Sequence, residues 1–322
     1  MQLNHAVFLD FASVHPDDLD VSVLERIIPN WQWRNNTRAE DVAEVIATAD
    51  VVVVNKVVLN AHQLASAKKL KLICAAATGI NNIDLAAATD AGISVCNARA
   101  YATPSVVQHV FALLLALTTR LQQYQHDVNS GHWSQSEFFC LLDYPIRELQ
   151  GLTLGIVGYG ELGKAVARVA QAFGMKVLIA KRDAGDTRPG RVELHALLPQ
   201  LDVLSLHCPL TDETRGLIGK DELALMKPDA VLINTARGGL VDEFALRDAL
   251  DNKHLGGAGL DVLEHEPPPA DYYMLQQQLP NLIITPHTAW ASRQARQRVL
   301  EEIALNIEAF RAGKARNQVN SE

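Results

Sequence analysis

The chain has 322 residues, 48% of them hydrophobic, and a formal net charge of −8 at pH 7. This length favours two packed domains over a single core, and the acidic balance argues against nucleic acid or an anionic membrane as the main partner. The longest uninterrupted apolar run, Val110–Leu117, is too short to span a membrane, and the N-terminus lacks the basic start of a signal peptide, so we expect a cytoplasmic protein with no membrane partner.

The first hundred residues predict a parallel α/β unit, because short apolar runs alternate with stretches of helical spacing. The predicted strands are Val7–Leu9, Val51–Asn55, Leu70–Ala77 and Ser94–Cys96. The predicted helices are Ala61–Lys68 and Asp84–Ala91. This βαβ alternation is typical of a parallel sheet.

A long apolar helix is predicted at Ser105–Leu121, with Thr103 as its N-cap and Pro104 at its first position. The polar segment that follows, residues 122–150, has scattered aromatic residues and no regular period. We expect an extended arm there, at the subunit contact of a homodimer.

The βαβ alternation is repeated more fully over residues 152–285. The predicted strands start near Leu152, Lys176, Asp202, Ala230, Gly257 and Leu282, and the predicted helices are Leu162–Phe173, Gly219–Met226 and Asp242–Leu250. A further helix follows Ala289 and ends near Gly313, and the tail after Lys314 is expected to be mobile.

These elements predict an α/β protein with two doubly wound parallel sheets. The interpretation is a Rossmann cofactor domain, residues 100–289, inserted into a flavodoxin-like substrate domain formed by residues 1–99 and 290–322. The functional site is expected in the cleft between the two.

A glycine-rich turn joins the first predicted strand and helix of the second unit. It comprises Gly158, Tyr159, Gly160, Glu161, Leu162 and Gly163. In this context the first glycine permits the tight turn, the second lets the backbone approach a pyrophosphate, and the third lets helix pack closely on strand. The helix N-terminus adds free N–H groups and a positive dipole, so the turn predicts a dinucleotide site.

Two cations stand where such a fold usually carries an acid. Lys181 and Arg182 follow the second strand of this unit, eighteen positions after Gly163. An acid there would bind the ribose hydroxyls, whereas cations suit a 2′-phosphate. We therefore predict NADP or NAD as the cofactor, with NADP favoured; the alternative is that both side chains lie in solvent and Asp183 serves the ribose.

Three candidate catalytic residues follow strands of the second unit. Arg237, in N-T-A-R-G-G, has the planar fork that suits a carboxylate. His287 can exchange a proton with an alcohol or alkoxide, and Glu266 is the candidate carboxylate that stabilises its protonated form. From spacing alone, a surface arginine and a structural loop histidine stay open as alternatives.

Seven motifs, taken together, resemble the D-isomer-specific 2-hydroxyacid dehydrogenase family over nearly the whole chain. They lie at residues 69–84, 101–110, 158–163, 207–216, 234–243, 260–268 and 285–291. The stretch from His287 to Trp290 looks most like that of the glycerate dehydrogenases, which reduce hydroxypyruvate.

This resemblance implies an NAD(P)-dependent oxidoreductase that reduces a small 2-oxoacid, hydroxypyruvate or glyoxylate, to the D-2-hydroxyacid. Arg237 would bind the substrate carboxylate and carbonyl, His287 would be the acid/base, and Glu266 rather than Glu264 would orient it. Asp261 would hold the nicotinamide carboxamide.

The remaining implied contacts come from both predicted domains. Besides the glycine turn, the cofactor residues are Thr103, Lys181, Arg182, His207, Cys208, Pro209, Thr214, Thr235, Ala236, Arg237, Asp261 and His287. Asn55, Lys56, Thr78 and Gly79 would bind substrate, with backbone N–H groups offered by the stretch from Asn55 and by the Thr78–Gly79 loop.

Two other functions stay open at this point. A cofactor-sensing regulatory protein, resembling the corepressors on this fold, would favour disordered or basic extensions. A phosphoglycerate-type dehydrogenase would favour added cations in the first domain and a regulatory C-terminal domain. The chain shows neither pattern.

No metal site or disulfide framework is predicted. Cys74, Cys96, Cys140 and Cys208 are widely separated without a C-x-x-C pair, and the eleven histidines show no H-E-x-x-H spacing. We expect the cysteines to be small core residues.

Overall fold

The computed structural model describes residues 2–276 and 278–320. The chain forms two compact units, one of Met1–Ala102 with Trp290–Glu322 and the other of Thr103–Ala289. The boundary predicted after residue 99 differs from this division by three residues, because residues 100–102 lie in the first unit. Met1, Ser321 and Glu322, which the predicted first domain includes, lie outside the described residues.

The first unit is built on a five-stranded parallel sheet. Its strands are β1 His5–Phe8, β2 Asn30–Trp33, β3 Val51–Val54, β4 Leu72–Ala75 and β5 Ser94–Cys96. They lie in the order β2-β1-β3-β4-β5, which is the flavodoxin-like order. β3 is a run of four buried valines, as expected for a strand covered on both faces.

Short helices connect these strands: α1 Ser22–Glu25, α2 Val42–Ile46, α3 Ala61–Ser66 and α4 Leu85–Asp90. The sequence interpretation missed β2, whose residues are partly exposed at the sheet edge. Its register is fixed by parallel pairing with β1, from His5 opposite Asn30 to Phe8 opposite Trp33.

The second unit is built on a seven-stranded parallel sheet. Its strands are β6 Thr153–Val157, β7 Lys176–Ala180, β8 Arg191–Val192, β9 Val203–Leu206, β10 Val231–Asn234, β11 Gly257–Leu260 and β12 Leu282–Ile284. They lie in the order β12-β11-β10-β9-β6-β7-β8. Counted from β6, this is the Rossmann order 3-2-1-4-5-6 with one more strand, so the predicted fold class is confirmed.

The helices of this unit are α5 Thr103–Thr118, α6 Leu121–Asn129, α7 Glu161–Ala172, α8 Leu194–Leu197, α9 Lys220–Leu225 and α10 Glu243–Asp251. Thr103 is the first residue of α5 rather than its N-cap, and its hydroxyl donates to Glu161 Oε1 at 2.5 Å. The apolar face of α5 packs on the sheet so closely that a Cβ at Gly259 would lie 3.0 Å from Leu113 Cβ.

No single described helix is long and apolar enough to cross a membrane. The pair α5 and α6, bent by 63° relative to each other, meets the length and composition test only when taken together. The apolar residues of α5 are largely buried against β10 and β11.

The predicted arm is only partly irregular. Its first third is helix α6, and residues 136–150 have no helix or strand. This stretch leaves large apolar side chains in solvent, with Phe138 74% and Phe139 90% exposed.

The chain completes the first unit with helix α11, Arg293–Arg311. Val299, Leu300, Ile303 and Ile307 are fully buried in the core on one face of the first sheet. The expectation of a mobile tail is wrong for its described part, because Val319 N donates to Val95 O and Asn320 Nδ2 donates to Ile93 O.

The cysteines divide into two groups. Cys74 and Cys96 are buried register partners on β4 and β5, and burial raises the pKa of Cys96 to about 11. Cys140 and Cys208 are partly exposed, so the expectation of core residues is wrong for these two.

Candidate active site

The glycine turn between β6 and α7 has the geometry of a dinucleotide-binding loop. Gly158 has φ +91°, and a Cβ on it would lie 2.5 Å from the backbone of His207 and Cys208. A Cβ on Gly163 would lie 2.2 Å from Gly158 O and 3.1 Å from the Ile156 side chain, so α7 packs closely on the turn and on β6. Gly160, the N-cap of α7, has no atom within 4 Å of its Cβ position and leaves room for a phosphate.

Two buried polar atoms lie at the carboxyl ends of neighbouring strands in this unit. His207 Nδ1 follows β9, Thr235 Oγ1 follows β10, and neither has a hydrogen-bond partner. Burial lowers the pKa of His207 to about 4, so its imidazole is neutral at physiological pH. In open α/β sheets ligands bind at this edge, and the open loop with its two unpaired groups fits a dinucleotide cofactor.

The two cations after β7 are both paired within the chain. Lys181 Nζ lies 2.8 Å from Glu193 Oε1, and Arg182 Nε donates to Asp183 Oδ2 at 2.7 Å. Arg182 is 81% exposed and Lys181 28%, so only the lysine is substantially ordered by its surroundings. Part of the positive charge predicted to meet a 2′-phosphate is therefore balanced by Glu193.

Other predicted cofactor residues shape the loops around this edge. Tyr159 stacks beneath the Arg191 guanidinium, 4.9 Å from the ring centre. The Thr214 hydroxyl donates to Pro209 O at 2.8 Å and closes the loop after β9. Burial raises the pKa of Cys208 to about 11, which keeps its thiol protonated.

Arg237 stands in a turn organised by a buried asparagine. Asn234, the last residue of β10, is 1% exposed. Its Nδ2 donates to Arg237 O at 2.9 Å, and its Oδ1 accepts from Ala236 N at 3.0 Å. The amide thus fixes the backbone at Ala236 and Arg237. The sequence interpretation gave Asn234 no role, although it begins the N-T-A-R-G-G motif.

His287 and Glu266 form a close pair. His287 Nδ1 lies 2.6 Å from Glu266 Oε2, and the two side chains are 30% and 33% exposed. An ionised carboxylate only accepts hydrogen bonds, so Nδ1 carries the donated proton and Nε2 is left to exchange a proton with a ligand. The backbone N of Glu264, the alternative partner, donates to Glu243 Oε1 at 2.7 Å.

The backbone of His287 is held in an uncommon conformation by Asp261. His287 has φ +54°, in the left-handed region that side chains other than glycine rarely adopt. Asp261 is 1% exposed; its carbonyl accepts from His287 N at 2.9 Å, and its carboxylate accepts from Thr288 N, Ala289 N and the Thr285 hydroxyl. These contacts assign Asp261 to the histidine loop, and its predicted contact with the nicotinamide carboxamide stays a prediction.

The predicted substrate loop after β3 has a different organisation from the one expected. The backbone N–H groups of Asn55, Lys56 and Val57 donate to the buried carboxylate of Asp10, at 2.9, 2.5 and 3.0 Å. The expectation that these groups face a substrate is therefore wrong. The Asn55 amide donates to Ser13, whereas Lys56 extends its Nζ to 5.9 Å from the centre of the Trp290 ring.

The second predicted substrate loop is also tied down by its polar side chains. The Thr78 hydroxyl donates to Ala98 O, and Thr78 O accepts from Asn97 Nδ2, both at 2.8 Å. Gly79 follows with partial exposure. Substrate binding by Lys56, Thr78 and Gly79 stays a prediction.

One group of possible metal ligands lies in the arm, residues 122–150. Ligand atoms of Asp127, His132 and Asp143 lie within 4.8 Å of one another. His132 Nδ1 lies 3.6 Å from Asp127 Oδ1, and His132 and Asp143 are exposed whereas Asp127 is buried. Among the described residues this is the one such group, and none of the predicted catalytic residues belongs to it.

Comparisons with known proteins identify the family. The model of the D-isomer specific 2-hydroxyacid dehydrogenase NAD binding domain matches residues 111–289. The chain is 45% identical to a glycerate dehydrogenase of Methylorubrum extorquens, and the alignment covers 98% of both proteins. It is 38% identical to a hydroxypyruvate reductase of Blautia hydrogenotrophica, over 98% of this chain and 99% of the relative.

A solved structure supports the same family assignment as these two relatives. The D-lactate dehydrogenase of Aquifex aeolicus, complexed with NAD and lactic acid, superposes with a TM-score of 0.82 at 31% identity, over 99% of this chain and all of the other. The fingerprint turn, the carboxyl-edge residues and the histidine–glutamate pair are thus found in a chain of matching sequence and fold. The protein belongs to the D-isomer specific 2-hydroxyacid dehydrogenase family and is a nicotinamide-dependent oxidoreductase.

Proposed function

We propose that this chain reduces a small 2-oxoacid, hydroxypyruvate or glyoxylate, to the D-2-hydroxyacid. The observation that carries the proposal is the 2.6 Å pair of His287 and Glu266, which leaves an imidazole nitrogen able to donate a proton. The names of the two relatives, a glycerate dehydrogenase and a hydroxypyruvate reductase, support the same substrate class.

The chemistry divides between the cofactor and the chain. A reduced nicotinamide, when bound, supplies a hydride to the carbonyl carbon. Arg237 binds the substrate carboxylate through its planar fork and stabilises the negative charge that develops on the carbonyl oxygen. His287 donates its Nε2 proton to that oxygen, and the Glu266 carboxylate stabilises the imidazolium before transfer.

Several predicted residues would hold the cofactor. The backbone around Gly160 and the N-terminus of α7 would bind the pyrophosphate, because the space above Gly160 is open. Thr235, with its unpaired buried hydroxyl, would contact the bound cofactor. The Asp261 carboxylate would accept a hydrogen bond from the nicotinamide carboxamide, through lone-pair capacity that its contacts to the histidine loop do not use.

The cofactor is proposed to be NADP in preference to NAD. Lys181 and Arg182 support this because neither would repel a 2′-phosphate, as an acid at the end of β7 would. Glu193 weakens the expected preference for NADP, because it forms an ion pair with Lys181. The preference therefore depends on whether a 2′-phosphate displaces Glu193 from the lysine.

The protein is further proposed to act in the cytoplasm as a homodimer. The exposed aromatic residues of the arm support a subunit contact, because such a cluster is costly to leave in water. No nucleic acid or membrane partner is proposed, in line with the net charge of −8.

One assay tests the activity. The absorbance at 340 nm is followed with hydroxypyruvate, glyoxylate, pyruvate and 3-phosphohydroxypyruvate, each with NADH and with NADPH. We expect the highest kcat/KM with hydroxypyruvate or glyoxylate. A flat baseline with all four acids and both cofactors, for a protein that binds the cofactor, contradicts the proposal.

A further inference from the structure

A buried glutamate outside the proposed catalytic set contacts the loop that carries Glu266. Glu243 is the first residue of α10 and is 3% exposed. Its Oε1 accepts from Glu264 N at 2.7 Å, and its Oε2 accepts from the hydroxyl of Tyr272 and, at 3.4 Å, from that of Tyr273. All of these partners are donors, so the arrangement suits an ionised carboxylate.

The two tyrosines remain donors because their surroundings oppose ionisation. Burial and the neighbouring Glu243 raise the pKa of Tyr272 and of Tyr273 well above the ordinary value. Tyr273 also stacks on Phe244, with ring centres 4.0 Å apart. The polar cluster of Glu243, Tyr272 and Tyr273 therefore has an ordered set of hydrogen bonds.

The contact at Glu264 lies inside the turn that orients Glu266. Leu263 N donates to Glu266 Oε1 at 2.8 Å, while Glu266 Oε2 meets His287. The Leu263–Glu264 peptide thus lies between two contacts. On one side Leu263 N holds the Glu266 carboxylate, and on the other Glu264 N binds Glu243.

The turn after Arg237 rests on the same peptide. A Cβ on Gly238 would lie 2.0 Å from Leu263 C and 2.3 Å from Glu264 N, so the two backbones are in direct contact. Movement of the Leu263–Glu264 peptide would therefore disturb both the Arg237 turn and the Glu266 turn.

Glu243 is not needed to start its own helix. Asp242 caps α10, because its carboxylate accepts from Phe244 N and Ala245 N. The burial of a charged side chain such as that of Glu243 costs free energy unless its oxygens are hydrogen-bonded. The Glu243 carboxylate makes these hydrogen bonds to the loop that follows β11 and not to α10.

We propose that Glu243 is a positioning residue for proton transfer: it fixes the 263–266 turn so that Glu266 meets His287. Tyr272 assists by holding the Glu243 carboxylate in place. This inference rests on the proposed function, because it requires the His287–Glu266 pair to supply the proton.

The test compares Glu243→Gln and Tyr272→Phe with Tyr273→Phe as the matched control. We measure kcat for 2-oxoacid reduction from pH 5 to pH 10, with the cofactor dissociation constant and melting temperature of each variant. In Glu243→Gln we expect kcat to fall by about 10- to 100-fold and its alkaline limb to move to lower pH, with cofactor affinity retained. Tyr272→Phe should shift the limb in the same direction by less, and Tyr273→Phe, whose contact with Glu243 is the longer one at 3.4 Å, should stay nearest to the parent.

A double variant shows whether Glu243 acts through Glu266. If it does, Glu243→Gln combined with Glu266→Gln keeps the alkaline limb of Glu266→Gln alone. If both Glu243→Gln and Tyr272→Phe lower the melting temperature but leave the alkaline limb of kcat unmoved, the inference about Glu243 is overturned. The proposed function is not affected by that result. If Glu266→Gln itself leaves the limb unmoved, the proposed support of the His287 imidazolium by Glu266 is overturned and the inference with it. Should Glu243→Gln fail to fold, the isosteric Tyr272→Phe decides the question.

Discussion

Arg237 is the residue on which substrate recognition depends in the proposed function. Arg237→Ala should lower kcat/KM for 2-oxoacid reduction by about 30- to 1,000-fold, because a lost charge-assisted contact costs roughly 2 to 4 kcal/mol in the transition state. Cofactor affinity, measured by titration of protein fluorescence, should change little. Arg237→Lys is the control, since it keeps the charge and removes the fork. Near-parent turnover in the alanine variant would exclude the assignment.

We expect Glu266 to affect the pH dependence of kcat more than its optimum value. Glu266→Gln removes the carboxylate that stabilises the His287 imidazolium, so the protonated form needed for reduction should disappear at lower pH. The pH profile of kcat measures this shift, and the alkaline limb should move down. Glu264→Gln is the matched control, because the Glu264 contact made to Glu243 comes from the backbone N. A shift in the control but not in Glu266→Gln would reverse the two assignments.

Lys181 and Glu193 together set the proposed cofactor preference. The parent should prefer NADPH by about ten- to a hundredfold in kcat/KM if one or two charged hydrogen bonds form. Lys181→Glu should move the ratio toward NADH, and Glu193→Gln should move it further toward NADPH, because it releases the lysine from its 2.8 Å ion pair. Equal kcat/KM with both cofactors in the parent, or an unchanged ratio in both variants, would contradict the proposed preference.

The candidate catalytic residues Arg237, Glu266 and His287 could be selected from the sequence because each lies in a motif that resembles the family. Their supporting contacts could not. Asp10 binds amides 45 to 47 positions away, and Glu243 binds a tyrosine 29 positions away, so neither contact leaves a local pattern. Asn234 is the intermediate case, because its contacts reach only two and three residues along the same motif.

At the scale of elements, strands buried on both faces were the easiest to predict. The four valines of β3 form an unbroken β-branched run, whereas the edge strands β2 and β8 are partly exposed and have no such run. Helix α6 was missed because its residues are mostly polar. The pairing of the tail with β5 depends on a partner more than two hundred residues away.

The packing of α7 on β6 gives a contrasting pair of substitutions. Gly163→Ala should destabilise the protein by about 1 to 3 kcal/mol, because its Cβ would meet Gly158 O at 2.2 Å. Gly160→Ala should leave the free energy of unfolding nearly unchanged, because no atom lies within 4 Å, yet weaken cofactor binding by placing a methyl group in the phosphate space. Urea unfolding and cofactor titration separate the two effects. Equal stability losses in both variants would contradict the geometry.

At the scale of the whole molecule, the exposed aromatic residues predict assembly. Phe139 is 90% exposed, and Phe139→Asp should raise the dimer dissociation constant at least about tenfold if the arm forms the subunit contact. Light scattering after gel filtration measures the mass over a dilution series. Leu305→Asp, at a 45% exposed position on α11, is the control. A parent that is monomeric at every concentration would remove the arm from any interface.

The divided first unit has a consequence for synthesis on the ribosome. The second unit is one continuous stretch, Thr103–Ala289, and is therefore fully available for folding before α11 has been translated. The first sheet must wait, because Val299, Leu300 and Ile303 fill one of its faces and Asn320 binds beside β5. A nascent chain halted before Arg293 would thus expose the apolar face of that sheet, which makes the interval before α11 emerges the period of greatest need for chaperones.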